Sequence, residues 1–118
     1  MTGNIFFIAG LSLILIHEMD AIRCKEWRIF PRLSKLKDKT GFLIFLLAHI
    51  PLYLRLLWYL TNSSDIETFR TIFDSFLIAH LGLHLLFLKH KNNEFKGWIS
   101  WTIIAGAGFC GLLDLIFR

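Results

Sequence analysis

The chain carries stretches of apolar residues long enough to cross a lipid bilayer, and this constrains its fold more than any other feature. A spanning helix needs roughly 20 mostly apolar residues, because hydrocarbon offers no water to the backbone and every N–H must bond within the segment. Residues 41–60, 71–89 and 98–117 meet that length directly. The first apolar run, residues 5–16, is shorter, so its helix must continue through His17-Glu18-Met19-Asp20-Ala21-Ile22 and carry polar side chains to the membrane edge. We therefore expect an all-α polytopic membrane protein. Its single four-helix domain over residues 1–118 would have helices near 3–22, 41–60, 66–89 and 97–117 and a basic connection at 23–40. Composition agrees: 55% hydrophobic and 19% charged residues, with 12 Phe and 4 Trp, against about 45–50% and about 25% in an ordinary soluble domain. That excludes a disordered, collagenous or disulfide-stapled chain. The start lacks a basic region and HEMDA is no small-residue cleavage site, so the first helix is expected to be retained rather than removed as a signal peptide.

Loop charge sets the expected direction. Residues 23–40 hold 7 basic side chains (Arg23, Lys25, Arg28, Arg32, Lys35, Lys37, Lys39) against Glu26 and Asp38. The third connection adds Lys89, Lys91 and Lys96, whereas the second has Asp65 and Glu67 against Arg70. The positive-inside rule then places connections one and three in the cytoplasm and both termini outside the cytoplasm, in a cell (inner) membrane. Topology thus absorbs the net charge of +4, and nucleic acid is not a needed partner. Ser64-x-x-Glu67 reads as a capping box opening the third helix. EWRIFPRLSKLK reads as a segment lying on headgroups. Ala105, Gly106, Ala107, Gly108 and Gly111 give the fourth helix a small-residue face for close packing, within the chain or in a homo-oligomer.

Counting about 1.5 Å per residue sorts the buried polar residues into layers. From the basic end, His17 and His84 come out roughly 8 Å deep, and His49 and His80 roughly 12–13 Å. His80 and His84, at i and i+4, share a helix face and can grip one ion. Imidazole suits zinc, iron or copper, and three histidines with a carboxylate complete a four-coordinate site. The candidate metal ligands are His17, His49, His80 and His84, with zinc or iron as the divalent transition metal. Glu18 and Asp20 are candidate catalytic carboxylates; Asp20 shares the face of His17, and Glu18 is turned about 100° away. A proton relay and plain helix–helix hydrogen bonding are the alternatives. In the opposite layer, Arg55, Asp74 and Asp114 are expected to pair. His90 falls in the basic connection and is expected to be solvated. Cys24 and Cys110 lie too far apart along the bundle to pair or to form CxxC.

His17-Glu18-Met19-Asp20-Ala21, followed by Glu26-Trp27-Arg28 and by histidines in later spans, resembles the small bacterial integral membrane proteins named for an HXXEE motif. Asp20 and Ala21 stand at the two Glu positions. The resemblance covers the first helix and the connection after it, and implies a membrane fold and a site near His17, but no reaction. From the residues, the leading function is a metal-dependent hydrolase or oxidoreductase acting on a lipid-soluble substrate from the cytoplasmic face. The alternatives are a small proton-coupled multidrug-type transporter and a non-catalytic pore or assembly subunit.

Overall fold

A computed structural model describes residues 4–118, and the regular structure among them is entirely helical. Helix α1 spans Ile5–Arg23, α2 Asp38–Asn62, α3 Ile66–Leu86 and α4 Trp98–Phe117, each long and apolar enough to cross a membrane. The start expected for α1 at residue 3 lies outside the described residues. Two short 3₁₀ turns, Glu26–Arg28 and Leu33–Lys35, fold the first connection.

Local chemistry explains the helix ends. Cys24 closes α1 with its N–H on the Asp20 carbonyl, and Lys25 then takes a left-handed conformation (φ 50°, ψ 53°) that reverses the chain. Asp38 opens α2, where a negative charge meets the positive end of the helix dipole. Asp65, rather than Ser64, caps α3: its carboxylate accepts the Thr68 N–H at 3.0 Å, and Ser63 accepts the N–H of Asp65 at 3.2 Å. A carboxylate is as good a cap as a hydroxyl, so the helix begins one residue later than the Ser64 box implies. Pro51 lies inside α2 without ending it.

Helix α4 lies between α1 and α3 and packs along both. Its small-residue face makes that possible within the chain: a Cβ on Gly111 would stand 2.8 Å from the Asp74 carbonyl oxygen, and one on Gly108 2.6 Å from the Leu81 side chain. Helix α2 packs sparsely, reaching the rest mainly through α3 and the Glu26–Arg28 turn and meeting α1 where His49 approaches Glu18. Only 11% of its apolar window is buried, against 28–33% for the others, so most of its Leu and Ile side chains face outward, as lipid requires. One apolar core (Phe7, Ile14, Phe73, Leu77, Ala107) occupies the end near the α2–α3 turn. The other (Ala21, Cys24, Trp27, Ile29, Phe45, Phe95, Ile104) fills the basic end. Trp27 and Ile29 therefore sit inside the fold, each 4% exposed, and do not rest on headgroups. Between α1, α2 and α3 a cleft of about 620 Å³ is left open.

Candidate metal centre

Two helices and one turn bring His17, His80, His84 and Glu26 together, with one ligand atom from each lying within 4.8 Å of all the others. His17 comes from α1 and is fully buried; His84, 6% exposed, and His80 come from successive turns of α3. The three imidazole centroids stand 4.6–4.9 Å apart in edge-to-face arrangements. Glu26 Oε1 lies 3.3 Å from His84 Nε2 and 3.8 Å from His17 Nε2. A tetrahedral ion with bonds of about 2.0–2.1 Å separates its ligand atoms by about 3.3 Å, so these distances are those of donors around a common centre.

Glu26 gets there through the left-handed turn at Lys25, which folds the chain back over the end of α1. Asp38 holds the turn in place: Arg28 Nε donates to it at 2.8 Å, Lys25 Nζ at 3.2 Å and Trp27 Nε1 at 3.4 Å, with Arg28 Nη2 as a further donor. Phe95 covers the opposite side, stacked on His17 at 5.4 Å and edge-on to His84 at 4.7 Å. It is itself fixed by its N–H on Asn93 and by Trp101 Nε1 donating to its carbonyl at 2.6 Å. Burial by itself would push the Glu26 carboxyl up; the neighbouring imidazoles of His17 and His84 outweigh it and hold it down at about 2. Glu26 therefore favours its carboxylate form beside the imidazoles of His17 and His84. Both ring nitrogens of His17 and Nδ1 of His80 find no hydrogen-bond partner among the described residues.

The remaining candidates lie elsewhere. His49 matches His80 in depth but faces the other side of α1, where its Nε2 approaches Glu18 Oε2 at 2.8 Å while Nδ1 contacts the Phe45 carbonyl at 2.6 Å. The rotation of about 100° between consecutive residues accounts for this: His17 points to α3, and Glu18 points to α2. Asp20 is taken up by Arg23 at 2.7 Å. His90 stands outside the cluster, its Nδ1 accepting the Asn92 N–H at 3.1 Å. At the far end, Arg70 takes the place expected of Arg55, binding Asp114 through Nη2 at 2.7 Å and Nε at 3.3 Å. Arg118 approaches Asp74 at 3.6 Å. Glu26 and Arg70 are the participants that sequence reasoning missed, because each reads as connection charge.

Fold and site define a class: an all-helical chain suited to a multi-pass membrane position, with a buried histidine–carboxylate cluster that could hold a metal ion. The chain belongs to a family of unknown function (DUF6713), whose model matches residues 3–118. That is an uncharacterised family, as expected, and the match does not confirm the HXXEE type. No curated protein and no solved structure matches the chain.

Proposed function

We propose that His17, His80, His84 and Glu26 hold a divalent transition metal, zinc or iron, and that the protein uses it as a hydrolase or oxidoreductase on a lipid-soluble substrate. The observation that carries this reading is the convergence of four donor atoms within 4.8 Å in a largely buried pocket. Three nitrogens and one oxygen suit either metal. Such an ion supplies Lewis acidity and an activated water. The chain's own residues do the rest: Phe95 keeps bulk water from His17 and His84. Glu18, 2.8 Å from His49 on the adjacent face of α1, is placed to hold or pass a proton between its carboxylate and the imidazole. Asp20 Oδ1 is paired with Arg23 at 2.7 Å, so Glu18 is the carboxylate we favour for that role. We place the basic end in the cytoplasm on its loop charge, so a reporter fused after Arg118 should be active only outside the cytoplasm.

Elemental analysis of purified protein tests the metal. About one equivalent per chain is expected, falling on acidification as protons displace the ion from its ligands. His17→Ala, His80→Ala and His84→Ala should each lose most of it, and His90→Ala and Asp20→Asn none. A folded protein without metal, or equal losses from His90→Ala and His84→Ala, would leave only a hydrogen-bonded histidine cluster.

A further inference from the structure

The cleft between α1, α2 and α3 has walls that are mostly apolar, and its charged lining residues are Glu18, His49, Arg55 and Asp65. Of these, Glu18 and His49 face each other at 2.8 Å, and Asp65 is engaged as the α3 cap by Thr68. Arg55 makes no hydrogen bond or ion pair with any described residue. It lies seven residues inside Asn62, the last residue of α2, which is roughly 10 Å along the helix. His49 lies a further six residues on, roughly 9 Å away, with Leu52 and Phe73 lining the space between. Arg55 is exposed within the chain itself, and it borders the apolar cleft, where a guanidinium facing lipid calls for a counter-charge.

We propose that the cleft binds a single-chain anionic amphiphile, a carboxylate or phosphate ester of one acyl chain, with the anion on Arg55 and the chain running toward His49. Three observations select this occupant. The guanidinium is the one charged lining group left without a protein partner among the described residues, and its planar fork fits carboxylate and phosphate. The wall beyond it is apolar over the length of several methylenes. The volume of about 620 Å³ falls within the range of small-ligand pockets, about 300–1,000 Å³; a two-chain phospholipid would overfill it. A cationic amphiphile would meet repulsion at Arg55, and a neutral one would leave it unpaired. The site is independent of the metal reading, because none of the four clustered ligands lines the cleft.

The test titrates the full chain, in a neutral maltoside detergent, with hexadecanoate, hexadecyl phosphate, hexadecanol and hexadecyltrimethylammonium, counting adducts by native mass spectrometry. One hexadecanoate or hexadecyl phosphate should bind per chain, at least tenfold more tightly than the alcohol or the ammonium. Arg55→Gln should remove that preference, Arg55→Lys should restore part of it, and Leu52→Trp should block the slot with Arg55 intact. Metal content in the same samples should stay unchanged in all three variants, so loss of anion binding is read separately from loss of metal. Equal binding of alcohol and carboxylate, or anion binding that survives Arg55→Gln, overturns the proposal. So does a concentration-dependent dimer that Leu52→Trp abolishes, since a second copy would then be what covers this face.

Discussion

Replacing Arg70 by Leu tests how the far end of the bundle is held. Arg70 is 6% exposed and faces Asp114 at 1% and Asp74 at 0%. Its guanidinium binds both oxygens of Asp114, at 2.7 and 3.3 Å, and also donates to Asn4 at 2.9 Å and Glu67 at 3.3 Å, while lying 5.4 Å over the Phe7 ring. Removing one partner of a buried pair costs about 3–5 kcal/mol, most of it from the charge left behind. Here Arg118 remains, 3.9 Å from Asp114 and 3.6 Å from Asp74, and takes up part of the loss. We therefore expect about 3 kcal/mol, a fall in melting temperature of about 10 °C for a chain of this length. Asp114→Leu should cost about 2 kcal/mol, because Arg70 keeps Asn4 and Glu67. The double variant should then be less unstable than the sum by about 1.5–3 kcal/mol. Tryptophan fluorescence melts in detergent of the wild type, both single variants and the double variant close the cycle. Arg55→Leu is the control, expected within about 0.5 kcal/mol of wild type. Strict additivity of the Arg70 and Asp114 changes, or a drop from Arg55→Leu as large as that from Arg70→Leu, would refute the assignment.

Gly111→Val should destabilise by about 1–3 kcal/mol, because a Cβ there stands 2.8 Å from the Asp74 carbonyl oxygen and 3.0 Å from Leu77 Cβ, so α3 and α4 must separate. Gly82→Ala meets nothing within 4 Å and should be neutral or stabilising by up to about 1 kcal/mol, through helix propensity; the same melts measure both. Cys24 is 0% exposed, and burial pushes its thiol up, so N-ethylmaleimide should leave it unmodified in folded protein and label it once denatured. Labelling at equal rates in both states would show that the basic end opens.

The helices were legible because bilayer length and backbone satisfaction leave so little choice. Boundaries shifted where side chains decided them. Asp38, Lys39 and Thr40 extend α2 beyond its apolar run because Asp38 is the anchor of the preceding turn. Helix α3 stops at Leu86, short of Lys89; the side chain of Asn93 donates to the Leu88 carbonyl just beyond. Depth counting paired His17 with His84 and, about one turn deeper, His80 with His49, and i, i+4 spacing put His80 and His84 on one face. It could not distinguish His49, because depth says nothing about which way α2 is turned. Glu26 was hidden by a backbone event: its carboxylate reaches His17 only because Lys25 adopts a positive φ, and nothing in Cys24-Lys25-Glu26 marks a left-handed residue. Arg70 was hidden by its position a few residues into α3, where its charge was assigned to the connection and Arg55 was given its place.

The energetics of the His17 cluster argue that it is kept for something it binds. Packing alone would be better served by Leu or Phe at positions 17, 80 and 84, beside Phe95 and Trp101. Instead the chain buries three imidazole nitrogens with no partner among the described residues, at about 1–3 kcal/mol for each unsatisfied group. It also holds Lys25 in the left-handed region, at about 1–2 kcal/mol. The sum is comparable with the whole net stability of an ordinary domain, about 5–15 kcal/mol. The Asp38 clamp offsets the strain at Lys25, but none of its donors touches an imidazole. A cation at the common centre of His17, His80 and His84 could give the unpartnered imidazoles of His17 and His80 a partner, and the Glu26 carboxylate beside them would balance its charge. Exchanging Glu26 for Gln separates this account from one in which the carboxylate merely hydrogen-bonds His84. An amide of the same shape keeps an acceptor for His84 but removes the charge, so bound metal should fall at least tenfold while the melting temperature of the metal-free protein changes little. If Glu26→Gln instead keeps its metal and melts early, the carboxylate serves the fold and the cation is held by the histidines alone.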